Sequence, residues 1–323
     1  MNKDLEFLLN KSDIQSFLST NVKDLFGEDS FLEVLELERA YTYNNRAYNV
    51  FYKIKVGDQV KDIRASASLD LPKEKEFKIL SFIYNHGFNN DEILVPKPLA
   101  FFKEYNLFFY ESLPGETLIF DLKNKDLLDK KIRFAAKALK KFHTLPKPDF
   151  ELWDAGNFLN YKDFEGWALF KFYPNLAKSL NEIVAPLKEK IYQQKSDDIC
   201  HGDYQPANLI FFDHKIFILD FGTVCLLDRE YDVASFINQL EIMLKRYGDI
   251  ATFENLKKEF LAGYGDFNRE KFDLYTAMLH LRILVTFCFS QGKGREDNSQ
   301  FIPEVYNKMK KSFNKIGIKV VDD

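Results

Sequence analysis

Residues able to do chemistry concentrate between Cys200 and Phe236, in the run CHGDYQPANLIFFDHKIFILDFGTVCLLDREYDVASF. Asp203 stands five residues before Asn208, and Asp220 lies beyond two short apolar runs, Leu209–Phe212 and Ile216–Leu219. The polar Asp213-His214-Lys215 between those runs reads as a turn, so the pair predicts a β-hairpin. A tight hairpin brings its outer ends together, which places Asp203, Asn208 and Asp220 around one point. Two carboxylates and one amide oxygen suit a hard cation such as Mg²⁺, which keeps waters and takes few protein ligands. The bland alternative is that both acids cap ordinary turns. It gives no reason for both loops to fall in register on one hairpin.

His201-Gly202-Asp203 with Asn208, followed by Asp220-Phe221-Gly222, resembles the kinase catalytic loop H-x-D-x-x-x-x-N and metal loop D-F-G. Gly202 after the histidine and the later Tyr231-Asp232-Val233-Ala234 are similar to the aminoglycoside phosphotransferase and choline kinase superfamily of small-molecule kinases. Protein kinases carry HRD at this place, and no Ala-Pro-Glu segment follows here, which makes a protein kinase a distant option. The resemblance spans roughly residues 31–265. It implies an α+β, protein kinase-like two-lobed fold. Residues 1–112 would form a small antiparallel-sheet lobe handling the nucleotide phosphates, and residues 113–323 a mostly helical lobe with the catalytic and metal loops and the acceptor site. The activity implied is Mg²⁺-dependent transfer of the γ-phosphate of ATP (or GTP) to a hydroxyl of a small molecule.

The resemblance also assigns roles. Asp203 would accept the proton of the attacking hydroxyl. Asn208 and Asp220 would hold Mg²⁺. Arg64, in KDIRAS, would neutralise phosphate charge, with Lys61 as the alternative, and Glu76 would orient that cation. The Glu111 carbonyl and the Leu113 N–H, in the hinge-like ESLPGE, would hold the base. His201 shapes the loop, and Asp232 anchors its backbone. A nucleotide-binding pseudokinase without transfer activity is the alternative from another class. The intact Asp203, Asn208 and Asp220 speak against it, and a first turn without glycine, Tyr43-Asn44-Asn45-Arg46, speaks faintly for it.

The elements that must position these residues follow from periodicity. Apolar spacing predicts two helices over 4–26, capped near Ser12 or Asp13 and closed by Gly27. Strand character fills 31–68 as three antiparallel strands, with turns at 43–46 and at Gly57-Asp58. A helix is predicted from Pro72 to His86 with Gly87 beyond its end. Strands follow at Leu99–Lys103 and Leu107–Tyr110, then a helix over 126–143. His143 at its end reads as packing or capping rather than chemistry. Helices are also expected near 175–194, where Pro186 should kink or split the element, and at 232–247, 252–263, 270–290 and 302–314. The acceptor site could draw on Asp163, Glu165, Glu230, Glu241, Trp153 and Trp167, because aminoglycosides and choline are cationic. No spacing identifies a ligand, and the aromatics serve the core equally well.

The composition limits the alternatives. In 323 residues the net charge is −4, which argues against a nucleic-acid or anionic-membrane footprint. Three cysteines, Cys200, Cys225 and Cys288, form no C-x-x-C pair and fit a reducing, cytoplasmic setting. The opening MNKDLEFLLNKSD shows no secretory pattern, and Thr276–Ser290, with His280 and Arg282, reads as a buried helix rather than a membrane span. The expected partner is a small-molecule hydroxyl acceptor, with neither nucleic acid nor membrane, and the oligomeric state is open.

Overall fold

A computed structural model describes residues 5–27, 29–41, 47–124, 127–154, 173–194, 197–292 and 297–320. The turn at 43–46 and the acceptor candidates Asp163, Glu165 and Trp167 lie outside the described residues. The chain divides into two compact units, one of Met1–Thr117 with Leu209–Gly222, the other of Leu118–Asn208 with Thr223–Asp323.

The first unit is built on strands β1 (Leu32–Tyr41), β2 (Ala47–Val56), β3 (Gln59–Ser68), β5 (Pro98–Phe102) and β6 (Leu107–Glu111), ordered β1-β2-β3-β6-β5. All neighbours pair antiparallel. Strict alternation in β2 sends Val50, Tyr52 and Ile54 to one face, where Ile63, Ala65 and Phe109 join them. Helices α1 (Lys11–Thr20) and α2 (Val22–Phe26) cover that face with Ile14, Leu18, Val22 and Leu25. Asn10, rather than Ser12 or Asp13, caps α1, its side chain accepting from the backbone N–H groups of both. Period-two geometry then sends Phe51, Arg64 and Tyr110, mutual register partners, to the opposite face. Helix α3 (Lys73–Asn85) packs there, with Phe77 against the rings of Phe101 and Phe108 at 5.8 Å each.

A second sheet in this unit has the order β4-β10-β9-β7, from Ile93–Leu94, Lys215–Ile218, Leu209–Phe212 and Glu116–Thr117. β9 and β10 form the expected hairpin, with Phe212 opposite Lys215. Asp213 and His214 both have positive φ, 46° and 61°. That is the two-residue turn whose twist matches paired strands.

The second unit is helical: α4 (Leu118–Asn124), α5 (Leu128–Phe142), α6 (Pro174–Tyr192), α7 (Glu230–Tyr247), α8 (Phe253–Tyr264), α9 (Arg269–Gly292) and α10 (Ile302–Lys315). Strands β8 (Asp198–Cys200) and β11 (Cys225–Leu227) pair antiparallel. Pro186 lies inside the single helix α6, which runs through it. α7 is buried along most of its length and forms the centre of the unit. α5 and α8 approach so closely that a Cβ on Gly263 would stand 2.5 Å from the Arg133 carbonyl oxygen, so only glycine fits. α9 is long and apolar enough to cross a bilayer, yet 61% of its apolar window is buried inside the protein. The three cysteines are buried and form no disulfide.

Candidate active site

The loop from His201 to Asn208 leaves β8 and enters β9, and its backbone is held from below by Asp232 in the first turn of α7. One Asp232 carboxylate oxygen accepts from the His201 N–H at 2.7 Å, the other from the Gly202 N–H at 2.9 Å. Asp232 is fully buried, so these two donors offset the cost of burying a charge. His143, at the end of α5, adds a third contact, Nε2 to Asp232 at 3.0 Å, while its Nδ1 meets the Tyr264 hydroxyl at 2.8 Å. Tyr204 donates to the Ala135 carbonyl at 2.7 Å, which fixes the loop to α5. Thr223 Oγ1 donates to the His201 carbonyl at 3.1 Å. His201 is buried, and its Nδ1 accepts from the Asp203 N–H at 3.3 Å.

Asp203 is half-buried. Its Oδ2 accepts from Gln205 Nε2 at 2.9 Å and from Asn208 Nδ2 at 3.3 Å. Asn208 Nδ2 also donates to the Asp203 backbone carbonyl at 2.9 Å. The amide's donor side is therefore spent within the loop. Oδ1 is what Asn208 has left to offer, and an amide oxygen is a fitting donor for a hard cation.

In the first unit, Asp220 takes φ +63°, the left-handed region that a non-glycine residue occupies only when its surroundings hold it there. Its carboxylate neighbours that of Glu76. A Cβ placed on Gly222 would sit 3.6 Å from Asp220 Oδ1 and 3.9 Å from Glu76 Oε2. Burial chiefly, and then the Asp220 charge, push the Glu76 carboxyl above the usual carboxylate range, against the pull of Lys73. Tyr110 stands between Arg64, Glu76 and Asp220. Burial is the main cause that pushes its hydroxyl up to about 12, and the Arg64 charge works the other way. The Asn49 side chain hydrogen-bonds that hydroxyl, and the buried Asn49 Oδ1 has no partner among the described residues.

The expected pairing of Glu76 with the strand cation is not what the side chains do. Glu76 Oε2 binds Lys73 Nζ at 2.6 Å, one turn back on its own helix. Arg64 Nε instead donates to Ser112 Oγ at 3.2 Å, and its guanidinium lies 5.9 Å from the Phe51 ring centre. The reason is reach: an i, i+3 partner costs little side-chain entropy, whereas Arg64 must cross to another element. Lys61, the alternative cation, lies over the Phe26 ring at 5.1 Å. At the end of β6, Glu111 pairs with Lys97 at 3.2 Å, and the Ser112 N–H donates to the Asp62 carbonyl at 2.9 Å. Among the described residues the Leu113 N–H takes no acceptor.

Sequence reasoning missed Lys73, Tyr110, Tyr264 and Gln205 altogether, and it read His143 as packing or capping without the bond to Asp232. His143, Cys200 and Asp232 also bring potential metal-binding atoms within 4.8 Å of one another. Those atoms are already engaged, Cys200 Sγ with the Leu227 carbonyl at 3.4 Å and Asp232 as above. They form a hydrogen-bond network, not a cation cage. Of the described acids proposed to receive a cationic acceptor, Glu230 accepts the Asn268 N–H at 2.8 Å, and Glu241 is bound by Lys308 and by Lys245 at 3.3 Å.

The family model described as the phosphotransferase enzyme family matches residues 48–275. No curated protein sequence matches the chain. Among solved structures, the choline kinase LicA from Streptococcus pneumoniae aligns with a TM-score of 0.63 at 17% identity, covering 94% of this chain and 99% of that one. The amicoumacin kinase hAmiN in complex with AMP-PNP, Ca²⁺ and Ami aligns at 0.63 and 12% identity, covering 91% and 92%. A spectinomycin phosphotransferase in complex with ADP and spectinomycin aligns at 0.56 and 16% identity, covering 92% and 93%. These likenesses show the fold, which is protein kinase-like with an antiparallel-sheet N-terminal part and a helical C-terminal part.

Proposed function

The chain belongs to the phosphotransferase enzyme family, that of the aminoglycoside phosphotransferases and choline kinases, and from that premise we propose that it moves the γ-phosphoryl group of ATP or GTP to a hydroxyl of a small molecule. The observation that carries the reading is the catalytic loop: an Asp203 carboxylate aimed by Gln205 and Asn208, on a backbone fixed by Asp232. The two units are read as the small and large lobes; in sequence they part after Thr117 rather than after the expected residue 112, and Leu209–Gly222, which carries Asp220, goes with the first.

In the proposed reaction the acceptor hydroxyl attacks the γ-phosphorus. The bond from phosphorus to the bridging oxygen of the nucleotide breaks, the bond to the acceptor oxygen forms, and the nucleoside diphosphate leaves. Asp203 takes the hydroxyl proton as that bond forms. Asn208 and Asp220 would hold Mg²⁺, which supplies charge neutralisation at the phosphate oxygens. Asn208 directly precedes Leu209, and Asp220 lies two residues beyond Ile218, the register partner of Leu209, which supports their joint assignment. Arg64 is assigned to the phosphates and the end of β6, from Glu111 to Leu113, to the base. Positioning and electrostatics do nearly all the work in such a transfer.

The test has two parts. Millimolar ATP or GTP with Mg²⁺ should raise the melting temperature, because a ligand that binds only the folded state stabilises it. Asp203→Ala should keep that shift while transfer falls by about 10²–10⁴-fold. Asp220→Ala should lose transfer together with the Mg²⁺-dependent part of nucleotide affinity. No thermal shift in the wild-type protein would remove the kinase reading, and unchanged turnover in Asp203→Ala would remove the assigned base.

A further inference from the structure

We propose that Arg282 receives an anionic group, a carboxylate or a phosphate, carried by the acceptor molecule; this deepens the kinase reading above and rests on it. Arg282 lies on α9 and is half-buried. Its Nη1 donates to the Tyr231 hydroxyl at 2.9 Å, and that hydroxyl donates to the Gly202 carbonyl oxygen at 3.4 Å. Gly202 is the chain neighbour of Asp203. Two hydrogen bonds therefore separate the guanidinium from the loop that carries the proposed base, and the intervening Tyr231 is fully buried and cannot swing away.

The charges around this relay are unevenly matched. Asp228 is held by Lys271 at 2.5 Å and by the Tyr275 hydroxyl at 2.6 Å. Glu230 accepts the Asn268 N–H, and Asp232 is taken by the His201 and Gly202 amides and by His143. Every acid close to Tyr231 in sequence is thus committed. Arg282 has no carboxylate partner among the described residues, and Tyr231 occupies only one of its donors. The Asp203 and Asp232 charges act on the Tyr231 hydroxyl but neither carboxylate meets the guanidinium directly, and a partly desolvated cation without a direct partner is costly unless something pairs with it. Its planar fork of N–H groups fits the two oxygens of a carboxylate or phosphate. A choline-like or aminoglycoside ammonium group would be repelled at the same place. Arg282 makes and breaks no bond in this scheme. It fixes the acceptor's anionic end so that a hydroxyl elsewhere on the molecule meets Asp203, and its effect belongs in KM rather than in kcat.

The experiment is phosphate transfer from Mg²⁺-ATP to four matched panels: hydroxy acids, sugar phosphates, neutral sugars and nucleosides, and the cationic choline and aminoglycosides. Turnover is expected only with the first two, and which of the two responds tells carboxylate from phosphate. Arg282→Gln should raise KM for the productive acceptor by about 10–100-fold, the worth of a charged hydrogen-bonded contact, with a smaller change in kcat. Arg282→Lys should recover part of the loss. With Mg²⁺-AMP-PNP saturating, the productive acceptor should raise the melting temperature of the wild type further, and that increment should vanish in Arg282→Gln. The proposal is overturned if a cationic or neutral compound is the preferred acceptor, or if Arg282→Gln leaves KM unmoved. It is equally overturned if no anionic compound is bound or turned over while Mg²⁺-ATP still shifts the melting temperature. That last result would leave the kinase reading standing, whereas loss of the nucleotide shift would remove both.

Discussion

His143 shows how a single residue can matter without touching a substrate. It joins the Tyr264 hydroxyl to Asp232, whose two oxygens hold the backbone at His201 and Gly202. Burial of the Tyr264 hydroxyl pushes its ionisation well upward, so it stays a neutral partner for the ring. His143→Ala would leave Asp232 short of one partner and free to tilt. Transfer should then fall by about 10-fold, the cost of a small misplacement at the base, while the Mg²⁺-nucleotide thermal shift remains. His143→Gln, which can donate again, should recover part of the rate. Equal loss of nucleotide stabilisation and transfer in both variants would mean that His143 only holds the fold together. None of this was legible in the sequence. The partners of His143 lie 121 and 89 residues away, and a lone histidine at a helix end carries no sign of them. The proximity of Asp203 and Asn208 was legible because a short loop fixes their separation. The Glu76 partner was not, since Lys73 and Arg64 are equally basic and only the folded geometry chooses.

Helix α3 depends on Asn106, in the turn between β5 and β6. Pro72 precedes α3 and offers no side-chain cap. Asn106 Oδ1 accepts the Lys73 N–H at 2.7 Å, and Asn106 Nδ2 donates to the Ser68 and Leu71 carbonyls at 2.6 and 2.7 Å. The turn between β5 and β6 therefore caps the helix that carries Glu76, and Asn106 tolerates the φ of +49° this requires. Asn106→Gly keeps that backbone but removes all three contacts. It should cost about 1–3 kcal/mol, read as a lower denaturation midpoint. A smaller Mg²⁺-nucleotide shift should accompany it, because α3 frays at the end nearest Glu76. Stability within error of wild type would show that the cap is redundant. In the hairpin the strain runs the other way. His214 sits at φ +61°, where glycine is at ease, so His214→Gly should stabilise the protein by up to about 1 kcal/mol. An unchanged or lower midpoint would argue against that turn type. The hairpin itself, β1 to β3 and most helix spans follow from period and turn chemistry. The pairings of β7 with β9 and β4 with β10 do not, because strands of two residues leave almost no periodic trace.

For the molecule as a whole, periodicity indicated strand character over 31–68 ahead of the helices that begin near residue 126. It could not show which polar groups the core would enclose. His280 is one of them, on a helix whose apolar content made it read simply as buried. Its Nδ1 lies 3.1 Å from Ser312 Oγ, and Glu241, Lys245 and Lys308 surround it from α7 and α10. Burial is the main cause that lowers its pKa from 6.5 to about 4, and the two lysines add to it while Glu241 opposes. In the folded protein the ring is therefore neutral at pH 5, whereas in the unfolded chain it is largely protonated. The unfolded state then binds more protons, so stability rises with pH between about 4 and 6.5 and is lost as pH falls through that window. At pH 5 the loss from this residue is about 2 kcal/mol, from one and a half units at 1.36 kcal/mol each. Glu76 has the opposite sign. Its raised folded pKa gives stability that is present below its unfolded value and lost as pH rises above it, so it partly offsets His280 near pH 5. Replacing His280 separates the two. His280→Gln keeps a hydrogen-bonding side chain beside Ser312 and does not titrate. Denaturant unfolding at pH 7.5 and pH 5 should show wild type losing about 2 kcal/mol more than His280→Gln over that interval. Equal losses in the two proteins would place the acid sensitivity elsewhere and leave His280 protonating as freely in the core as in the unfolded chain.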